Sequence, residues 1–553
     1  MATFPRGALL SALLAVPAFA LRRDFPFPPI SHLAQAADAN AFDWYALKPA
    51  DNITWTPCFD GQQCARLNLP LDHSTPNGPK IQVALQMIPA ADKEHYQGSI
   101  LVNPGGPGGA GTQFVLTGGQ ALVEIFGPTF DILGFDPRGV GATTPRADCV
   151  GTDPQRQAAW ANSEVLSTRE GDGSIPLTRA HNQVRGELCA AALGGDSKEE
   201  IGGSVESWGP GRFMDTASVV EDMVNIIQQL GQGKLHYYGA SYGTLLGQYF
   251  AAIHPEKVGR MIIDGVIDGA KWQPGKMADC IEDTDAIMDQ FYEGCVKAGR
   301  SRCAVWEPTP RAVARRLDRA LDALKQEPIP LPFHPGGPTT LTFNRVAAYI
   351  FQTGLYFPSF GFTKIADAAW AIETRNASHF ADFTLTKSFD DVPVWMRDND
   401  AFSAVMCTDF PPLNDTLAEE VADLKTANRL SRWGGPYFAA QIRFQCGAWK
   451  IQAKHRYAGP VSSKLEVPAL VVSSRYDPVT PLSNAKAVAT RNGWRLLLQE
   501  SSGHTSAVFI NPRSCVATAL RVYMTNGTLP AMGTVCESPA TPFLDPMAPE
   551  STE

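Results

Sequence analysis

Short apolar runs alternate with amphipathic stretches along most of this chain. Residues 99–103 and 130–136 are nearly unbroken apolar segments of strand length, and 81–88 alternates loosely. Further strand-like runs recur at 235–238, 261–264, 469–473 and 494–498. Between them the period changes. Val219, Met223, Ile226, Ile227 and Leu230 fall on one helical face closed by Gly231, and Leu245, Leu246, Tyr249, Phe250 and Ile253 form another. Short buried strands separated by amphipathic helices predict an α/β fold with a mostly parallel sheet flanked by helices.

From Trp272 to Pro460 the pattern shifts to polar helical stretches broken by Pro and Gly clusters, with Trp395, Phe402 and Trp433 scattered through them. An interruption of this kind between early and late strands predicts an inserted helical cap. The N-terminus has a different pattern: Arg6, an apolar run over 8–16, then Ala18-Phe19-Ala20. That run is too short to span a bilayer and ends in small-x-small residues, so it predicts a cleaved secretory leader. The expected organisation is a signal peptide at 1–20 and a processed or extended segment at 21–43, with Arg22-Arg23 a further cleavage point. A first core part at 44–271, the cap at 272–460, a second core part at 461–538 and a loose tail at 539–553 follow.

Composition narrows the classes. Hydrophobic residues make up 44% and charged ones 19%, which is globular rather than disordered, and a net charge of −9 without any basic block argues against a nucleic-acid surface. No further apolar stretch approaches the roughly 20 residues of a membrane span. The 11 cysteines suit an oxidising compartment, with at least one left over. The favoured pairs are Cys58 with Cys64, Cys149 with Cys189, Cys295 with Cys303, Cys407 with Cys446 and Cys515 with Cys536, leaving Cys280. Sequons at Asn52, Asn376, Asn414 and Asn526 fit an N-glycosylated extracellular protein. No Cys/His spacing resembles a zinc site and no dinucleotide fingerprint follows a strand, so neither metal nor cofactor is expected.

The chemistry centres on Gly239-Ala240-Ser241-Tyr242-Gly243, between a strand-like and a helix-like run. A serine hydroxyl attacks only when a base takes its proton and the backbone lifts it clear of the sheet, and flanking glycines permit that sharp turn. An acid and a histidine should then follow in chain order, each after a strand. Asp477 stands in Arg475-Tyr476-Asp477-Pro478-Val479-Thr480-Pro481 and His504 in Ser502-Gly503-His504-Thr505-Ser506. Glu466 and Glu500 are rival acids within or beside strands. The roles expected are Ser241 as nucleophile, His504 as base and Asp477 as its orienting acid. The glycine-rich loop at 105–109 follows an early strand, where backbone amides would stabilise an oxyanion; Gly106 and Tyr242 are the expected donors.

Asn103-Pro-Gly-Gly-Pro-Gly-Gly109, Asp136-Pro-Arg-Gly-Val-Gly141, Tyr238-Gly-Ala-Ser-Tyr-Gly-Thr244 and Asp477-Pro-Val-Thr-Pro481 together resemble the secreted tripeptidyl aminopeptidase group, relatives of prolyl aminopeptidase among the α/β-hydrolases, with a TAP-like C-terminal region. The resemblance implies an α/β-hydrolase fold and a secreted exopeptidase that releases short peptides or single residues from free N-termini beneath a helical cap. Pro104, where prolyl aminopeptidases carry histidine, favours the tripeptidyl branch. Peptides with free N-termini are then the expected partners, and Asp264, Asp268 and Asp409 are candidates to meet the substrate ammonium, set against a structural role for each. A carboxylesterase or lipase using the same triad, and a catalytically silent binding protein on the same fold, are the alternatives.

Overall fold

The computed structural model describes residues 42–163, 168–194, 209–334, 337–376, 380, 392–506 and 511–543. The expected leader at 1–20 and most of the tail lie outside them.

Ten strands form one sheet in the order β1-β2-β3-β5-β4-β6-β7-β10-β11-β12. They are β1 (Thr56–Cys58), β2 (Gln62–Pro70), β3 (Lys80–Ile88), β4 (Ser99–Asn103), β5 (Asp131–Phe135), β6 (Leu235–Ala240), β7 (Val258–Asp264), β10 (Leu470–Tyr476), β11 (Arg495–Ser502) and β12 (Val535–Glu537). From β5 to β12 every pairing is parallel. Strands β1 to β3 and the β3–β5 pair are antiparallel.

The apolar runs have the burial their composition demands. Every residue of β4 and β5 is buried, because helices cover both faces of the sheet. Along β4 the side chains alternate between faces: Ile100 and Val102 enter one core, Leu101 the other. The first core is closed by Phe114, Val115 and Leu122 of the helix Gly111–Phe126 and by Leu520 and Tyr523 of the helix Cys515–Asn526. On the other face lie Val219, Met223 and Ile227 of the helix Thr216–Gln229, with Leu245, Leu246 and Tyr249 of the helix Tyr242–Ile253.

Between β7 and β10, which pair directly, the chain makes a long excursion. Its longer helices are Thr284–Ala298, Pro310–Gln326, Pro358–Thr374, Leu417–Leu430 and Gly435–Gly447, with the shorter Ala401–Asp409. A two-stranded hairpin, β8 (Ile329–Leu331) with β9 (Thr339–Leu341), and a π-helical turn at Ile350–Leu355 interrupt the helices. The excursion gathers a piece of the preceding chain. Helix Ser174–Leu193, within the stretch read as core, packs on Gly435–Gly447: Gly186 lies against the Ala448 carbonyl, Arg179 pairs with Glu420 and Arg185 with Asp400. These arginines tie the helix to acids of the insertion.

Disulfides join Cys58 to Cys64, Cys149 to Cys189, Cys295 to Cys303, Cys407 to Cys446 and Cys515 to Cys536. Cys280 is free and buried. Asn52, Asn414 and Asn526 are exposed and Asn376 is half-buried. Among the described residues, no helix is long and apolar enough to cross a membrane.

Candidate active site

Strand β6 ends at Ala240, and Ser241 occupies the turn before the helix Tyr242–Ile253 with φ 55° and ψ −123°. A non-glycine residue held there carries about 1–3 kcal/mol of strain and stands clear of both elements. The flanking glycines are steric necessities. A Cβ on Gly239 would lie 2.4 Å from the Gly243 carbonyl oxygen, and one on Gly243 would lie 2.7 Å from that of Asn103. The elbow therefore closes tightly on itself and on the end of β4.

The glycine loop packs against that elbow. A Cβ on Gly105 would lie 2.7 Å from the Ser241 Cβ and 2.9 Å from the Tyr242 amide nitrogen. Asn103 Oδ1 accepts the Gly105 N–H at 3.0 Å, and the Gly105 carbonyl accepts the Gly109 N–H at 3.0 Å, which fixes the loop. The loop thus meets the serine through Gly105, with Gly106 next in the chain, and neither the Gly106 nor the Tyr242 amide has a hydrogen-bond acceptor among the described residues. Two such N–H groups beside a serine suit a developing oxyanion.

Asp477 follows β10 directly, and His504 follows β11 after Gly503. Both strands run further than the apolar pattern implied, to Tyr476 and Ser502. His504 Nδ1 lies 3.0 and 3.1 Å from the two Asp477 carboxylate oxygens. Asp477 is fully buried and also accepts from the amides of Val479, Thr480 and Thr505 and from the Thr480 hydroxyl. Burial opposes its ionisation, but the His504 charge and these donors outweigh it and hold the carboxyl below its ordinary pKa. The rival acids are engaged elsewhere, Glu466 with Lys234 and Glu500 with Arg475.

The structure brings Asp477 and His504 into contact and sets Ser241 beside the glycine loop. It shows no Ser241–His504 hydrogen bond among the described residues. In free enzymes such bonds are often long and tighten in the substrate complex.

The insertion reaches all three parts of this site. The Tyr356 carbonyl accepts the His504 N–H at 2.8 Å, and the Tyr356 ring stands edge-on to the imidazole with centroids 5.0 Å apart. Thr284 Oγ1 donates to the Pro478 carbonyl at 2.9 Å. The helix Ala401–Asp409 lies over the glycine loop, where a Cβ on Gly108 would lie 3.1 Å from the Phe402 nitrogen. Tyr356 was not legible in the sequence because no local motif surrounds it. Thr480 had a signal: three residues after an aspartate that starts a turn, its amide and hydroxyl both fall within reach of the carboxylate.

The three aspartates considered for the substrate ammonium have internal partners. Asp264 accepts from Ser506 and Tyr238. Asp268 caps the turn Gly269–Trp272 and pairs with Arg491 at 2.8 Å. Asp409 accepts from the Thr216 amide and hydroxyl and from the Trp272 indole. Each therefore takes its structural role.

Residues 98–362 match the family model described as alpha/beta hydrolase fold, and 433–536 match that of TAP-like protein. Ser241 and the glycine loop fall in the first span, Asp477 and His504 in the second. The chain is 26% identical over 509 residues to serine protease Hip1 of Mycobacterium tuberculosis, covering 88% of this chain and 91% of that one. It is 25% identical over 531 residues to the tripeptidyl aminopeptidase of Streptomyces lividans, covering 91% and 86%. Carboxylesterase B of M. tuberculosis is 28% identical over 490 residues, covering 86% of each chain.

Proposed function

Because the chain belongs to the α/β-hydrolases and carries a TAP-like C-terminal region, we propose that it is a secreted serine exopeptidase releasing short peptides, in the tripeptidyl manner, or single residues from free N-termini. The observation that carries most weight is the pair formed by His504 and the buried, ionised Asp477, beside a serine strained on an elbow and faced by a glycine loop. In this reading Asp477 holds the Nδ1 proton of His504, leaving Nε2 to take the Ser241 proton as Oγ attacks the scissile carbonyl. The Gly106 and Tyr242 amides stabilise the oxyanion. His504 returns the proton to the leaving amine, and water then releases the acyl group by the same steps in reverse.

Relatives named as a protease and a tripeptidyl aminopeptidase support the peptidase class. Five disulfides support an oxidising destination, and the exposed Asn52, Asn414 and Asn526 are open to glycosylation there, with Asn376 a fourth sequon. In this reading the insertion at 272–460 is the cap, and its contacts with the glycine, acid and histidine loops let it shape the substrate channel.

Mass spectrometry of products from paired free and N-acetylated peptides tests the proposal. Short N-terminal fragments from the free peptides alone are expected; equal cleavage of the acetylated set, or internal cuts, would overturn the exopeptidase reading. A second reading, carboxylesterase, is favoured by the carboxylesterase B relative. Turnover of simple esters with every peptide left intact would select it.

A further inference from the structure

Asp264 ends β7 and is completely buried. Its main chain and its side chain serve different loops. The carbonyl accepts the Ser241 N–H at 2.9 Å, a bond made possible because Ala240 and Asp264 are partners in the β6–β7 register. The carboxylate accepts the Ser506 N–H at 2.7 Å through Oδ1, while Oδ2 takes the Ser506 hydroxyl and, at 3.2 Å, the Tyr238 hydroxyl.

Ser506 is two residues beyond His504, and the geometry between them leaves little slack. Thr505 sits at φ 65°, its N–H on Asp477 Oδ2 at 2.8 Å, which turns the chain so that the next amide meets Asp264. Gly265 lies under this turn, where an added Cβ would be 2.8 Å from Thr505 Cγ2. The histidine loop is therefore pinned by two buried carboxylates, that of Asp477, which meets the imidazole, and that of Asp264, whose main-chain carbonyl also holds the serine. Burial raises the Asp264 pKa and nearby Asp477 adds to this, while the Ser506 and Tyr238 donors act against both.

We propose that Asp264 is a positioning residue that sets the separation of the nucleophile from its base, its carbonyl fixing Ser241 and its carboxylate fixing the His504 loop through Ser506. It touches no substrate atom. Its contribution is registry, and a serine and a histidine that do not yet share a hydrogen bond depend on registry for proton transfer, since small misplacements cost rate steeply. The inference rests on Ser241 and His504 being nucleophile and base.

Hydrolysis of p-nitrophenyl acetate, which an acyl-enzyme former turns over whatever its natural substrate, tests it in the full chain. Asp264→Asn, which replaces the carboxylate that takes both Ser506 donors, is expected to lower kcat about 10- to 100-fold, and Ser506→Ala, which removes the hydroxyl but keeps the Ser506 N–H bond, about 3- to 10-fold, with KM within about threefold in both. The double variant should be no slower than Asp264→Asn, because the hydroxyl that Ser506→Ala removes acts on the carboxylate that Asp264→Asn already replaces. Tyr238→Phe, which removes a donor to Asp264 Oδ2 but leaves both Ser506 bonds to the carboxylate, should stay within about threefold of the parent. Folded Asp264→Asn and Ser506→Ala proteins with parental kcat, losses confined to KM, or losses that multiply in the double variant would overturn the proposal. If Asp264→Asn does not fold, Ser506→Ala and its kcat decide the matter. Ser241→Ala separates the two levels: activity surviving in it would refute the nucleophile assignment, whereas an inactive Ser241→Ala beside a normal Ser506→Ala would refute the positioning role alone.

Discussion

Asp477 and Asp409 are both buried carboxylates at the edge of the insertion, and their surroundings drive them in opposite directions. Asp477 faces an imidazole and several amide and hydroxyl donors, so partners outweigh burial and its pKa lies below the ordinary value. Asp409 receives the Thr216 amide and hydroxyl and the Trp272 indole, but Asp215 is a neighbour of like charge. Burial dominates there, and its pKa is raised to about 7. Burial alone therefore does not decide ionisation; the charge of the partner does. The acid that retains its charge is the one beside the histidine. The one that resists ionisation links the helix Ala401–Asp409 to Thr216, whose hydroxyl in turn meets the Tyr242 hydroxyl at 2.5 Å.

The largest expected difference is in turnover. Asp477→Asn should lower kcat by about 10³- to 10⁴-fold, because an amide N–H facing Nδ1 favours the wrong imidazole tautomer. Asp409→Asn should leave kcat within about threefold; comparable losses in the two variants, measured by steady-state kinetics, would break the comparison.

Next comes stability against pH. Asp409 is raised above its unfolded value, so its contribution is full below about pH 4 and is lost as pH rises through about 7. Asp409→Asn removes that slope, and its stability relative to the parent should climb by up to about 4 kcal/mol between pH 4 and 8. Asp477 is lowered, so its contribution is present above the unfolded carboxylate pKa and is lost as pH falls. Denaturant titrations of the parent and both variants should place the Asp477-dependent slope below about pH 4 and the Asp409-dependent slope, of opposite sign, between about pH 4 and 7; slopes of the same sign would contradict the account.

Smaller effects separate the donors. Thr480→Val deletes the hydroxyl that bonds Asp477 Oδ2 at 2.7 Å, and kcat should fall about tenfold. Trp272→Phe deletes the indole donor to Asp409 and should cost about 1 kcal/mol in thermal or denaturant unfolding, with kcat unchanged.

The legible parts were those whose signal is local. The elbow at Ser241 needs small neighbours at fixed offsets, and β4 and β5 are apolar throughout because both faces are covered, so each is written in a few adjacent residues. Strand β2 is harder to read. It lies in an antiparallel edge and mixes Gln62, Arg66 and Asn68 with apolar residues, so no apolar run marks it. Strand β12, three residues long, carries too short a pattern to show. The insertion's hold on the site was invisible for another reason: Tyr356 reaches His504, and Thr284 reaches Pro478, across far larger distances in sequence than any periodicity spans. The fate of Asp264, Asp268 and Asp409 likewise depended on tertiary partners such as Ser506, Arg491 and Trp272.

The most direct test of the central claim is peptide mapping after reaction with a fluorophosphonate. The account predicts one adduct, on the peptide bearing Ser241, absent from Ser241→Ala and formed far more slowly in Asp477→Asn. No adduct on the folded parent protein, or modification at a different serine, would contradict it.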